Sequence, residues 1–270
     1  MSGDRSGRLV HDGSLRRQSA RACRGYPKLW GQNKEDNKQA FALLKEAIAI
    51  DPTYGRAHAL LAWCQALNVT YVWTKTPEEE LQNALSAVDA AAGLIDDDPT
   101  ALTAVGGALS HCGDQERAAA FLEKALALDP NNAWAWTRFG WVGFYMQEID
   151  RATERFERAL TLSPADPFAF NTRMGIALSL AMAGSLRNAL AVVREVINKH
   201  PEVTWPYRHL AALSALSGDL KTARRAAQKL LAAQPDFTIE RFRALPTGQN
   251  IPHWVDQMSE GLRLAGVPER

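Results

Sequence analysis

Apolar residues recur along this chain at helical spacing, with polar residues between them. The stretch FLEKALAL at residues 121–128 shows this spacing, which favours helices over strands. Short turns that contain a glycine interrupt the helical stretches at residues 112–114, 183–185 and 217–219. The pattern therefore predicts an all-α protein whose helices are joined by short turns.

Prolines follow the ends of these helical stretches with a fixed period. Pro130 and Pro164 are 34 residues apart, and so are Pro201 and Pro235. A proline lacks the backbone N–H and clashes with the preceding helical turn, so each of these prolines is expected to follow the end of a helix. A period of this length indicates repeated helical hairpins.

The unit at residues 133–166 resembles the tetratricopeptide repeat (TPR), a pair of antiparallel helices. Six of the eight signature positions of that family match, at Trp136, Gly140, Ala152, Phe156, Ala159 and Pro164. Small residues at these positions let two helices approach closely. The large side chains of Trp136 and Phe156 are expected to be buried between the helices.

Weaker copies of the signature extend over most of the chain. Because one hairpin cannot bury its own apolar face, the resemblance implies a single right-handed TPR solenoid over residues 21–250. We predict a capping helix at residues 251–270 and a disordered basic tail at residues 1–20. About six units are expected, at residues 21–54, 55–98, 99–132, 133–166, 167–203 and 204–237.

Two stretches resemble a more specific group of proteins. Residues 35–63 and 261–269 look like the C-terminal TPR region of bacterial class III adenylate or guanylate cyclase-like proteins. Related TPR regions follow winged-helix transcription regulators. In such proteins the catalytic or DNA-binding domain precedes the TPR region, and residues 1–28 are too few to form one. We therefore expect a free-standing or truncated TPR module without cyclase activity.

The net charge limits the classes of partner, and the cysteine content indicates the cellular compartment. The formal net charge of +1 argues against nonspecific binding to nucleic acid or to anionic membranes, although residues 1–28 carry +5 (seven Lys or Arg and two Asp). Three widely spaced cysteines, Cys23, Cys64 and Cys112, form no disulfide framework and are typical of reduced thiols. The apolar stretches are shorter than a membrane-spanning helix requires. These features predict a cytoplasmic protein.

The sequence contains no pattern that predicts catalysis. His111 and Cys112 are adjacent on a helix, so their side chains point about 100° apart and do not converge on a metal. Gly106 and Gly107 lack the strand and loop of a phosphate-binding motif. The acidic run at residues 96–98 is typical of a helix cap. We predict no metal, no cofactor and no enzyme activity.

In TPR arrays the first helix of each unit lines a concave groove, and its positions in the repeat predict which residues face that groove. Trp, Tyr and Arg among them are the residue types that dominate protein interfaces. The alternative for Trp63, Trp134, Trp141 and Trp205 is burial between helices. The predicted partner-binding residues are Arg56, Trp63, Thr103, His111, Trp134, Arg138, Trp141, Tyr145, Asn171, Trp205, Arg208 and His209.

The residues that some TPR proteins use to hold the terminal carboxylate of chaperones are absent, because Thr103, Gly107, Thr137, Arg138 and Trp141 occupy those positions. A peptide with apolar side chains and an acidic group fits the predicted groove better. The leading hypothesis is a noncatalytic protein-interaction module. The alternatives are the regulatory TPR region of a bacterial cyclase-like or winged-helix signalling protein, and a scaffold that self-associates through its degenerate first unit.

Overall fold

In the computed structural model of the protein, residues 33–270 and Lys28 are described. The predicted disordered tail at residues 1–20 lies outside them. The described residues form thirteen α-helices and one 3-10 helix, with no strand. The helices are α1 (Lys34–Ile50), α2 (Gly55–Thr70), α3 (Pro77–Ala91), α4 (Pro99–His111), α5 (Gln115–Leu128), α6 (Ala133–Tyr145), α7 (Ile149–Leu162), α8 (Ala169–Met182), α9 (Leu186–Lys199), α10 (Pro206–Leu216), α11 (Leu220–Ala233), α12 (Ile239–Arg243), η1 (Pro246–Asn250) and α13 (Pro252–Leu264).

Consecutive helices pack as hairpins, from α2 and α3 to α10 and α11, and α1 packs against α2. The second helices of the pairs, such as α5 and α7, bury one stripe of mostly apolar residues and expose the remainder. The first helices, such as α4 and α6, are buried on almost every side. A helix that is apolar around its whole circumference is covered by other elements on all sides. The prediction of an all-α helical array is confirmed.

Side chains and glycines define where the helices begin and end. The Oδ1 atom of Asp98 accepts hydrogen bonds of 3.1 Å from the backbone N–H groups of Thr100 and Ala101 at the start of α4. The predicted cap in the acidic run is therefore confirmed. Gly113 and Gly184 have positive φ in the turns after α4 and α8. Gln147 takes the equivalent turn after α6 with a φ of 62°.

The helix pairs approach each other most closely around Phe156, which is fully buried on α7. A Cβ atom at Gly140 on α6 would lie 2.5 Å from its ring, and one at Gly175 on α8 would lie 2.3 Å from it. Trp136 is only half-buried, and its Nε1 atom donates to the carbonyl oxygen of Pro130 over 2.9 Å. The expectation that Trp136 is buried was wrong, because its ring lies beside the turn before α6.

Residues 239–264, which contain α12, η1 and α13, form the C-terminal segment. Its helix α13 packs on α10, where a Cβ atom at Gly261 would lie 2.5 Å from the carbonyl oxygen of Ala212. Further along, Trp254 makes an edge-to-face contact with Phe144 of α6, with 6.3 Å between ring centroids. The segment therefore crosses the concave face of the array instead of only covering its last hairpin.

Asn250, near the middle of the C-terminal segment, fixes the segment to the turns of two hairpins. Its Nδ2 atom donates to the carbonyl oxygen of Gly113 over 3.1 Å, and its carbonyl oxygen accepts from Nε2 of Gln147 over 3.2 Å. Near the start of the segment, Arg241 donates to the carbonyl oxygen of Thr74 after α2.

The first and last hairpins also meet across the concave face. Arg208 on α10 donates from Nη1 to the carbonyl oxygen of Thr70 on α2 over 3.1 Å. Tyr71 stacks on Trp205, with ring centroids 5.5 Å apart and an interplanar angle of 22°. The array thus closes around its own interior.

Candidate binding site in the concave face

The closed concave face contains a cavity of about 60 Å³, which we call the interior cavity. It is large enough for several water molecules or a small ligand. The C-terminal segment forms one wall with Phe242, Leu245 and Trp254. The other walls contain most of the predicted partner-binding residues, namely His111, Arg138, Trp141, Tyr145, Asn171, Trp205, Arg208 and His209.

The remaining four predicted residues lie beside the cavity or at the rim of the array. Trp63 and Trp134 contact each other edge to face, with centroids 5.5 Å apart. Thr103 donates from its hydroxyl to the carbonyl oxygen of Pro99 over 2.6 Å, which is a bond within α4. Arg56 is half-buried and forms an ion pair of 2.5 Å with Asp98.

The expectation that these residues line an open groove was wrong. The exposed fraction is 0% for Trp63, 8% for Trp134, 5% for Trp141 and 3% for Trp205. Of the twelve predicted residues, only Arg56 is not buried. The physical reason is that the C-terminal segment and the contact between α2 and α10 cover the concave face.

A hydrogen bond joins two polar side chains of the cavity wall. Trp141 donates from Nε1 to Oδ1 of Asn171 over 2.7 Å, which joins α6 to α8. Tyr145 lines the cavity together with Thr247 of η1. Burial raises the pKa of Tyr145, so this phenol stays neutral at physiological pH.

Two arginines bring positive charge into this apolar space. Arg138 is 1% exposed, and its Nε and Nη2 atoms have no hydrogen-bond partner. Its guanidinium carbon lies 5.0 Å from the ring centroid of Trp63, so a cation–π contact is its main compensation. Burial lowers the pKa of Arg138 to about 10, which leaves it charged at neutral pH.

Arg208 is 8% exposed and is only partly satisfied. Its Nε atom donates to Nε2 of His209 over 3.2 Å, in addition to the bond to Thr70. Its guanidinium carbon lies 5.9 Å from the ring centroids of both Trp205 and Phe242. Phe242 belongs to the C-terminal segment, so Arg208 contacts both sides of the covered face.

Two buried histidines share the cavity with these arginines. Burial, followed by repulsion from Arg138 and Arg208, holds the pKa of His111 well below its usual range. Burial and the charge of Arg208 lower the pKa of His209 in the same way. Both imidazoles are therefore neutral at physiological pH, and the arginines carry the positive charge.

The cysteines and acidic residues form no reactive group at this site. Burial raises the pKa of the Cys64 thiol, and it raises the pKa of the Cys112 thiol to about 12, so neither is a thiolate at neutral pH. Over the described part of the chain, no three His, Cys, Asp or Glu side chains are grouped to hold a metal ion. No helix in that part combines the length and apolarity needed to span a membrane.

Sequence reasoning placed residues 251–270 in a capping helix, but it did not predict that the C-terminal segment completes the cavity. Phe242, Leu245, Ile251 and Trp254 all lie outside the repeat pattern. Their signal is an aromatic and apolar spacing in residues 239–264 that no repeat signature explains. For residues 251–264 this spacing predicted a capping helix, but periodicity does not specify which surface the helix packs against.

Comparison with known proteins agrees with this architecture. A family model described as tetratricopeptide repeat matches residues 99–142, which cover α4, α5 and most of α6. The chain has an all-α TPR fold. No curated protein matches the sequence.

Several solved TPR structures have a similar fold. A structure from a functional characterization of Pseudomonas aeruginosa pilF has a TM-score of 0.50 and 20% identity, and the match covers 89% of this chain and 99% of that one. The Cut9–Hcn1 structure from the APC/C gives a TM-score of 0.59 and 17% identity, and covers 85% of this chain and 39% of that one. A thermophilic TPR protein of Thermus thermophilus gives a TM-score of 0.53 and 16% identity over 65% of this chain and 92% of that one.

The likeness at these identities concerns the fold. A TPR fold suggests a protein–protein interaction module with protein partners, and TPR proteins are generally noncatalytic scaffolds.

Proposed function

We propose that this protein is a noncatalytic interaction module of the bacterial cytoplasm whose concave face binds a segment of a partner protein in place of its own C-terminal segment. The supporting observation is that the concave TPR face already holds a helical, aromatic segment of the same chain. The free thiols of Cys64 and Cys112 fit a reducing compartment.

The chemistry of the expected partner follows from what the C-terminal segment supplies and what it lacks. Phe242 and Trp254 fill the aromatic surface formed by α6 and α10. The segment brings no carboxylate to Arg138, whose Nε and Nη2 atoms stay without a hydrogen-bond partner. A partner segment with aromatic or aliphatic side chains would cover this aromatic surface, and one acidic group in it would pair with Arg138.

Exchange requires that the C-terminal segment can leave the concave face. The polar contacts of Asn250 with Gly113 and Gln147 lie at the exposed rim. Exposed hydrogen bonds of this kind contribute roughly 0.5–1.5 kcal/mol each. Removing them loosens the middle of the segment and leaves the apolar core of the array unchanged.

The test uses the full-length chain with Gln147→Ala and Asn250→Ala, and a fluorescently labelled peptide of residues 239–264 as a surrogate for the partner. We expect the double variant to bind the peptide at least several-fold more tightly than the unmodified protein, because its own segment competes less. Arg187→Ala with Lys221→Ala, two changes away from the cavity, is the matched control.

A peptide with Trp254→Ala should lose most of this binding if the concave face is the site. The proposal is rejected if hydrogen exchange shows that the segment has opened in the double variant and yet the peptide does not bind. The hypothesis of a regulatory region in a cyclase-like or winged-helix signalling protein stays a prediction. A neighbouring reading frame for such a domain would favour it.

A further inference from the structure

The interior cavity contains positive charge that the described part of the chain does not neutralise. Arg138 and Arg208 are both buried, and neither forms an ion pair with a described carboxylate. Both charges act on His111, which places them around the same space. Buried charges in proteins are normally paired, because desolvation of an unpaired ion is costly.

Buried polar atoms without a hydrogen-bond partner also surround the cavity. Both ring nitrogens of His111, Nε and Nη2 of Arg138, Nε1 of Trp205 and Nδ1 of His209 are buried without a hydrogen-bond partner. Most of these atoms are donors, and buried donors in native proteins are nearly always satisfied. Water could accept some of these hydrogen bonds, but it would not neutralise the two guanidinium groups.

The remainder of the cavity wall selects for an apolar body. Trp141, Phe144 and Leu178 come from the TPR helices, and Trp254 and Val255 come from the C-terminal segment. A phosphate or sulfate ion would leave this aromatic surface without a contact. A carboxylate matches the planar fork of a guanidinium, and an apolar body attached to it matches the aromatic wall.

We propose that the interior cavity is a binding site for a small organic monocarboxylate with an apolar body, whose carboxylate is held by Arg138 and Arg208. This site goes beyond the exchange of protein segments, because it exists only while the C-terminal segment is in place. Binding would therefore stabilise the covered state of the concave face.

The test measures binding of benzoate to the full-length protein by calorimetry and by thermal shift. Benzamide, which has the same shape without the charge, and inorganic phosphate, which has charge without the apolar body, are the matched probes. We expect saturable benzoate binding and a raised Tm, with at least tenfold weaker binding of benzamide and of phosphate.

Two variants at Arg138 test whether benzoate binds in the interior cavity. Arg138→Met should weaken benzoate binding about 10- to 100-fold, because it removes a charge-assisted hydrogen bond, and Arg138→Lys should weaken it less. The control is Arg155→Met, because Arg155 lies over the Phe139 ring outside this cavity, with 3.5 Å between its guanidinium carbon and the ring centroid. It should leave benzoate binding unchanged.

The stability of the unliganded protein distinguishes a ligand-binding role of Arg138 from a structural role. If Arg138 is kept for a ligand, Arg138→Met relieves an unpaired buried charge and raises the Tm of the unliganded protein. A lower Tm for this variant would assign Arg138 a structural role and would contradict the proposal. Equal binding of benzoate and benzamide, preferential binding of phosphate, or no binding of any probe would also reject it. None of these results depends on whether a partner segment binds.

Discussion

The ring of Phe156 lies between two glycines, Gly140 on α6 and Gly175 on α8. Since Phe156 is fully buried, its ring cannot move aside to accept a new methyl group. We expect Gly140→Ala to destabilise the protein by about 1–3 kcal/mol through overpacking, even though alanine favours the helix. Urea unfolding followed by circular dichroism measures the change.

Gly143→Ala on the same helix is the control for that substitution. Its new Cβ atom would lie 2.9 Å from Nη1 of Arg155, a side-chain end that can shift at the cost of weakening its 3.2 Å hydrogen bond to the carbonyl oxygen of Phe139. We expect this variant to be close to neutral, because the gain of roughly 0.5–1 kcal/mol from helix propensity offsets the weakened hydrogen bond of Arg155. Equal destabilisation by the two substitutions would show that close packing on Phe156 is not the cause.

His111 and His209 make stability depend on pH. Their pKa values are lowered in the folded protein, whereas in the unfolded chain they titrate near the ordinary value of about 6.5. Below about pH 6.5 the unfolded chain therefore binds more protons, and stability falls by up to roughly 1.4 kcal/mol per pH unit for each imidazole.

The measurement compares the free energy of unfolding at pH 7.5 and at pH 5.5. His111→Leu should lose less stability over this range than the unmodified protein, because one titrating group is gone. Carboxylates that titrate in the same range affect both proteins equally and cancel in the comparison. An identical pH dependence would contradict the burial of a neutral His111.

At the scale of elements, the docking of α13 on α10 depends on the close approach at Gly261. A Cβ atom there would meet the backbone of Ala212, which cannot rotate away as a side chain can. We expect Gly261→Ala to undock α13, at a cost of about 1–3 kcal/mol. Hydrogen exchange in residues 252–264 should increase, and tryptophan emission should shift to the red as Trp254 and Trp205 become exposed.

Glu260→Ala is the matched control, because Glu260 is the exposed neighbour of Gly261. It should leave both signals unchanged. If Gly261→Ala undocks nothing, α13 is held by contacts other than this approach to α10.

The helical hairpins could be predicted from sequence because their cause is local. The proline period marks the helix ends within single hairpins. The packing of small residues such as Gly140 against large ones such as Phe156 involves only one or two adjacent hairpins. The covering of the concave face could not be predicted in this way. It depends on contacts such as those of Arg208 with Thr70 and of Arg241 with Thr74, which join residues 138 and 167 positions apart. Residues predicted to line an open groove, such as Trp141 and Arg208, therefore lie at a covered cavity instead of an exposed surface.

At the scale of the whole molecule, the C-terminal segment ties together hairpins that an open array would leave independent. In a repeat array each unit is stabilised mainly by contacts with its direct neighbours, so terminal units can unfold first. Here the segment contacts α10, α6 and the turn after α4, and the turn after α2 through Arg241. We expect one cooperative transition in urea, with circular dichroism and tryptophan fluorescence coinciding.

The double variant Gln147→Ala with Asn250→Ala tests this coupling without changing a buried residue. It should shift the fluorescence transition to lower urea than the circular dichroism transition, because the tryptophans are uncovered before the helices unfold. Separate transitions already present in the unmodified protein would show that the segment does not couple the hairpins.

The stacking of Tyr71 on Trp205 also limits which insertions and deletions of helical hairpins the protein can accept. Solenoids commonly gain or lose whole units, since each unit needs only its neighbours. In this molecule an inserted or deleted hairpin between α3 and α10 would rotate and displace one ring relative to the other and would separate Arg208 from Thr70. Duplication of a unit is therefore tolerated only outside the stretch from Tyr71 to Trp205, and the number of hairpins inside it is fixed by the contact between its two ends.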